Sequence, residues 1–287
     1  MINEIALDDQ HLLALYQEDV PLGDLTTSAL QLETQQGRIE FSARYDMCCC
    51  AIEEVARLLT LKGLSVKVFK HSGLWVEAGT LLLSASGCST TALACWKICQ
   101  NLMEWSGGIA TASYQLVEAV KQVNPKVHIA CTRKNTPGTK KMSVKAVRCG
   151  GAALHRLGLS ESILIFAEHC QFSTGSPAEL VNRTKIYSPE LNITVEVDSI
   201  ESALIWSDAG VDLLQLEKFS PAQVKQCQQQ LSKQKHLPLI AAAGGINSNN
   251  AAEYAASGAD LLVTSWPYQA RPKDIQVRFY PQGEVNA

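Results

Sequence analysis

From about residue 124 the chain alternates short apolar runs with segments long enough to be helices. The runs are VHIAC (127–131), SILIF (162–166), ITVEV (193–197), DLLQL (212–216), LPLIAA (237–242) and ADLLVT (259–264). They are nearly continuous in Val, Ile, Leu and Ala, as expected for parallel strands covered on both faces. Between them lie SVKAVRCGGAAL, SIESALIWSDAG, SPAQVKQCQQQL and NSNNAAEYAASG, several opening on Ser or Asn and closing on Gly, as helix caps require. Repeated strand-then-helix order predicts βαβ units, a parallel sheet and right-handed crossovers. An open doubly wound sheet and a barrel share this pattern, and periodicity alone does not separate them.

The first hundred residues read differently. A helix around 8–18 precedes a turn, EDVPLGDLTT (18–27), whose Asp24, Thr26 and Thr27 suit a cap. Strand-like RIEFSARY (38–45), a helix near 52–62, and strands LSVKVFK (64–70) and TLLLSASG (80–87) follow. This mixed order predicts a separate α+β layer, with a helix around 90–106 as the link; Trp96 and Met103 are expected to pack that helix.

Composition narrows the partners. The 287 residues carry 25 basic against 28 acidic side chains, a net charge of −3, so a general nucleic-acid binder is disfavoured. No apolar stretch reaches membrane-spanning length, and the acidic N-terminus lacks the basic and apolar regions of a signal peptide, so the expectation is a cytoplasmic protein with no membrane partner. None of the ten cysteines forms a CxxC pair, which favours reduced, buried thiols over a zinc site or disulfide framework.

Candidate chemistry sits where strands end. CTRKNTPGTKK, after the first run, holds the densest basic cluster, including Arg133 and Lys134; His155 and Arg156 form a second basic pair. Converging, the two would make an anion pocket, since loops at the C-terminal ends of parallel strands are where such folds bind ligands. Glu196 and Glu217 lie at two later strand ends, where an acid needs a cationic, metal or hydroxyl partner. Together they suit a sugar diol and a magnesium-bound pyrophosphate. Gly244 and Gly245 follow another strand and precede a helix expected near Ser248, a turn able to hold a phosphate through backbone N–H groups. Thr264 and Ser265 add hydroxyls at the next strand end. His128 reads as a core or edge histidine.

These parts resemble the nicotinate-nucleotide pyrophosphorylase (quinolinate phosphoribosyltransferase) family, and within it the ModD subgroup. The likeness is carried by EDVPLGDLTT, NLMEWSGGIAT (101–111), TRKNTPG (132–138), KAVRCGGAALHRLGLSESILI (145–165), VEVDSIESA (195–203), AAGGINSNN (242–250) and LVTSWPYQARPKDI. The resemblance implies an α/β class, with an N-terminal α/β sandwich domain over 1–108 and an open, TIM-like (β/α) barrel of six to seven strands over 109–271. The tail 272–287 would return to the first domain. It implies transfer of phosphoribosyl from phosphoribosyl pyrophosphate (PRPP) to a ring nitrogen of a small heterocyclic acid, with Mg2+ arriving with PRPP and no tightly bound metal. It also implies a homodimer with shared active sites, or a higher assembly. By motif match, Arg133, Lys134, His155 and Arg156 would hold acceptor and pyrophosphate, Glu196 and Glu217 the ribose hydroxyls and magnesium, and Gly244 and Gly245 the 5′-phosphate; His169 matches a family histidine. The subgroup's name adds a link to molybdenum metabolism.

Departures from the family's quinolinate enzymes point away from their dicarboxylate. Trp105 stands where they carry an Arg that reaches the neighbouring subunit's pocket, Phe166 where they carry a substrate-binding Lys, and Ala167 at the adjacent acid. Glu217 replaces an Asp, and the run from Ser265 to Gln269 replaces Gly-Ala-Leu-Thr-His. Two lost cations, at about 1.5–3 kcal/mol per charge-assisted bond, weaken dicarboxylate binding by several kcal/mol, so a flatter, more apolar or larger acceptor is expected. The alternatives are a true quinolinate enzyme of NAD synthesis, a non-catalytic phospho-ligand-binding protein, and a molybdenum-pathway accessory without nucleotide chemistry.

Overall fold

The computed structural model describes residues 4–32 and 35–282; the last five residues of the expected returning tail, 283–287, lie outside them. The described residues of Met1–Tyr114, Thr136–Gly151 and Pro267–Ala287 form one compact unit, and Gln115–Asn135 with Ala152–Trp266 form a second.

The first unit is built on a four-stranded antiparallel sheet in the order Ile275–Pro281, Gln36–Ala43, Leu81–Cys88, Ser65–Val68. Alternation in Gln36–Ala43 buries Ile39, Phe41 and Ala43. Helix Ile52–Leu61 buries Val55, Leu58 and Leu59. Late strand Ile275–Pro281 pairs with Gln36–Ala43 along its length, Gly37 opposite Pro281 and Ala43 opposite Ile275. Asp24 caps helix Leu25–Ala29, accepting from the backbone N–H groups of Thr26 and Thr27. Trp96 packs edge-on against Phe279, and Met103 is buried. Eight of the ten cysteines are buried and all ten are free thiols.

The linking helix is far longer than its sequence suggests, running Ser89–Val123. Gly107 and Gly108 do not stop it. A Cβ on Gly107 would stand 2.5 Å from the Met47 Cε, and one on Gly108 2.4 Å from the Arg271 carbonyl oxygen. These glycines are bare helix surface, against which the Met47 side chain packs at Gly107 and the Arg271 backbone at Gly108, at a propensity cost of about 1 kcal/mol each. Despite its length, no helix among the described residues is both long and apolar enough to cross a membrane.

The second unit is a seven-stranded parallel sheet. Its order is Ala153–Leu154, His128–Cys131, Leu261–Thr264, Leu239–Ala243, Leu213–Glu217, Ile193–Val197, Ile163–Ile165. The two edge strands are consecutive in sequence yet do not pair, so this is an open (β/α) barrel. Ser199 and Ser220 cap helices Ile200–Asp208 and Pro221–Leu231 as their sequences indicate. Two expectations needed correction. SVKAVRCGGAAL is not helical throughout: helix Lys140–Cys149 ends at Gly150, whose absent Cβ lets it lie against the Ala110 carbonyl, and Ala153–Leu154 becomes a strand. The helix expected near Ser248 is the short Ala251–Ala255, because Asn247 and Asn250 tie the preceding residues into a turn.

Candidate active site

Register fixes which side chains share the sheet's inner face. Glu196 stands opposite Gln215, Gln215 opposite Ala241 and Ala241 opposite Leu261, a row across four strands. Glu217, Ala243 and Val263 form the next row toward the strands' C-terminal ends. Ala241, Ala243, Val263, Leu213 and Leu261 pack together on this face, so the acids rise from an apolar floor.

Glu196 feels that floor. Burial pushes its carboxyl above the ordinary glutamate range, nearby Glu217 and Glu168 push it further, and Gln215 and Lys134 partly offset the shift. Gln215 Nε2 donates to Glu196 Oε2 at 2.5 Å. Glu196, Glu217 and Lys134 are therefore neighbours, as their placement at strand ends led us to expect. Glu168 and Gln215 belong to the same group and were not singled out from the sequence. Gln215 sits two residues before Glu217, on the same face, and that spacing is the signal that could have found it.

The strand carrying Glu217 ends in a sharp turn. Lys218 has φ +60°, and its N–H donates to the Ala243 carbonyl at 2.7 Å. Gly244 is pressed against this turn: its φ is +90°, and a Cβ there would stand 2.9 Å from the Lys218 nitrogen and 3.1 Å from Glu217 Oε1. Asn247 and Asn250 side-chain amides both donate to the Gly245 carbonyl, at 3.0 and 3.1 Å. The Thr264 hydroxyl is occupied, donating to the Ile246 carbonyl at 2.6 Å and accepting from the Trp266 N–H; Ser265, half-buried, follows it. The loop is thus braced for close approach of an anion to its backbone. Gly244→Ala must break both the φ requirement and the packing, so Glu217 is expected to be displaced and the melting temperature to fall by several degrees in a thermal melt.

The basic groups converge on the opposite sheet edge. Burial lowers Arg156, and Arg133 lowers it further, which places the two guanidiniums near one another. They follow adjacent parallel strands, His128–Cys131 and Ala153–Leu154. The Lys134 N–H donates to Thr132 Oγ1. Arg156 lies over the Phe166 ring, 5.7 Å from its centroid, and Phe166 stacks on His169 with centroids 5.7 Å apart and planes 16° apart. His169 Nδ1 accepts from the Phe166 N–H at 3.0 Å.

One expectation about charge is corrected. His155 is held below the usual histidine range by burial first and by Arg156 second, so the pair carries one positive charge at neutral pH rather than two. Because the unfolded chain takes up that proton more readily, His155 makes the protein lose stability as pH falls below about 6.5. His155→Gln should flatten that part of a melting-temperature against pH profile. Trp105 is half-buried on the long helix and belongs to the first unit, and the other groups belong to the second. His128 is exposed at the start of its strand.

Residues 24–107 match the quinolinate phosphoribosyl transferase N-terminal domain, and residues 109–278 its C-terminal domain. The chain belongs to the quinolinate phosphoribosyltransferase family. Family membership makes it a transferase of the phosphoribosyltransferase type. It is 44% identical over 249 residues to a Rhodobacter capsulatus protein with the provisional name pyrophosphorylase ModD, covering 86% of this chain and 95% of that one. It is 38% identical to a protein of the same provisional name from Pasteurella multocida, over 91% of this chain and 93% of that one. Among solved structures, a NadC deletion mutant superposes with a TM-score of 0.86 at 25% identity, covering 95% and 96% of the two chains. Within this family fold, the acids and basic groups described above lie on strands, loops and the short helix Ala167–Gln171 of the part that matches the C-terminal domain.

Proposed function

We propose that the protein transfers phosphoribosyl from PRPP to a ring nitrogen of a flat heterocyclic acid other than quinolinate, releasing pyrophosphate. The observation that carries this is the pairing of Arg133 with Arg156 and of Glu196 with Glu217 at strand ends of one open sheet. Guanidiniums receive negative charge, and carboxylates hold sugar hydroxyls and face developing positive charge. The acceptor nitrogen's lone pair would form the bond to the anomeric carbon while the bond to the leaving oxygen breaks and its electrons pass to pyrophosphate. Arg133 and Lys134 would take up that charge, and Glu196 and Glu217 would stabilise the oxocarbenium-like sugar. Gly244 and Gly245 would hold the 5′-phosphate. The protein works by positioning and electrostatics, with no covalent step of its own.

Magnesium fits as a companion of PRPP. Glu196 and Glu217 repel one another, which a dication would relieve. The diphosphate of PRPP would supply further oxygens to the ion.

The acceptor class follows from Phe166, whose ring, flanked by Arg156 and His169, offers stacking rather than a second ammonium. A homodimer in which Trp105 completes the partner's pocket is part of the same proposal. The molybdenum connection is supported by the ModD names alone.

The test is pyrophosphate release from PRPP and magnesium with quinolinate and with a panel of pyridine and pterin-like acids. The proposal expects release with a member of the panel and at least tenfold lower kcat/KM with quinolinate. Efficient nicotinate mononucleotide formation would favour the quinolinate enzyme instead. PRPP binding without release from any heterocycle would favour a non-catalytic binding protein.

A further inference from the structure

We infer that Gln215 is a positioning residue, holding the Glu196 carboxylate in the orientation that receives the sugar of the substrate. This rests on the phosphoribosyl reading above and deepens it.

Gln215 is only 6% exposed, and its carboxamide is used unequally. Nε2 donates to Glu196 Oε2 at 2.5 Å, whereas Oε1 is buried with no hydrogen-bond partner. Its other neighbour in the row is Ala241, which offers no polar side-chain group. An interior carbonyl oxygen without a donor is costly, and buried polar groups are otherwise almost always paired. Turning the amide over would not remedy this, because the carbonyl would then face a carboxylate. The arrangement gives up one hydrogen bond to keep another, and the one kept is to Glu196.

The geometry explains what is gained. Glu196 is a half-buried side chain above an apolar floor that offers it no polar partner. A donor fixed on the neighbouring strand, directly opposite in register, sets its orientation. With Oε2 engaged, Oε1 is the oxygen left to accept from a ligand hydroxyl. A carboxylate already oriented loses less freedom on binding, which is the advantage of preorganisation. Gln215 would touch Glu196, not the reacting atoms, so its effect must pass through that acid.

Gln215→Met keeps the length and burial of the side chain and removes the donor. Binding of PRPP with magnesium, and of inorganic pyrophosphate without it, would be measured for wild type, Q215M, E196Q and the double variant. The expected result is a tenfold or greater loss of PRPP affinity and of kcat/KM in Q215M, with pyrophosphate affinity and melting temperature unchanged. In the E196Q background the same change should add less than twofold, because the group being positioned has lost its charge. Gln215→Leu should behave as Q215M does. Unchanged PRPP affinity in Q215M, equal losses for both ligands, or a full effect persisting in E196Q would each overturn the inference while leaving the phosphoribosyl reading standing. Unfolding of both variants would also overturn it, since a positioning side chain on an apolar floor should tolerate an apolar replacement. Wild-type protein that does not bind PRPP would overturn that reading, and this inference with it.

Discussion

Glu196→Gln is expected to lower turnover by about a hundredfold or more while leaving the fold intact. The magnitude is that of removing one electrostatic group aimed at transition-state charge. The carboxamide keeps the size and hydrogen-bonding reach of the side chain but cannot stabilise positive charge on the sugar. Stability should move the other way, or not at all. Burial and Glu217 together raise the Glu196 carboxyl in the folded protein. The folded state therefore holds that proton above the ordinary value of about 4.5, where the unfolded chain releases it, and the ligand-free protein loses stability as pH rises through that window. A permanently neutral side chain removes this dependence. Unchanged turnover in E196Q, or a fall in both turnover and melting temperature, would contradict the role.

Lys145→Met is expected to cost about 3–5 kcal/mol of stability, the usual result of removing one partner from a buried ion pair. Lys145 is buried in the first unit, and its ammonium donates to both Glu54 oxygens at 2.8 and 2.7 Å, to Glu53 Oε2 at 2.9 Å and to the Glu4 carbonyl at 3.0 Å. Glu54 is completely buried and also accepts from the Ala6 N–H. Burial alone would lower Lys145, but Glu54 and Glu53 outweigh it and hold it above its usual range. Burial would raise Glu53, but bonds from Ser72 and Lys145 outweigh it and hold it below. The cluster's contribution is therefore present between about pH 4.5 and 10.5. It is lost as acid titrates Glu53 below that window, and as base titrates Lys145 above it. At about 2–4 °C per kcal/mol, the melting temperature of K145M should fall by roughly 10 °C. Glu54→Gln added to that variant should restore part of the loss by removing the stranded charge; a K145M protein as stable as wild type would show that the cluster contributes nothing.

The parallel sheet was legible because its strands are short, apolar and separated by capped helices, and Ser199 and Ser220 cap where their sequences indicate. The glycines were harder to interpret. Gly107 and Gly108 look like a helix stop but permit close packing inside a helix; Gly150 looks internal to a helix but ends one. Such positions are decided by a backbone distant in sequence, which composition does not reveal. The strand-end acids and Arg residues stood out, because a charged side chain beside an apolar run needs a reason. The charge state of His155 did not, since burial decides it. Gln215 was hidden for a related cause: a carboxamide in DLLQL resembles any polar interruption until register sets it opposite Glu196.

PRPP is expected to bind at the C-terminal ends of the open sheet, and a crystal structure with PRPP and magnesium would locate it. In that complex the sugar hydroxyls should lie within hydrogen-bonding distance of Glu196 and Glu217, the diphosphate beside Arg133 and Arg156, and the 5′-phosphate against the backbone of Gly244 and Gly245. Ligand bound elsewhere, or reversed so that the diphosphate meets the two acids without the arginines, would contradict this placement.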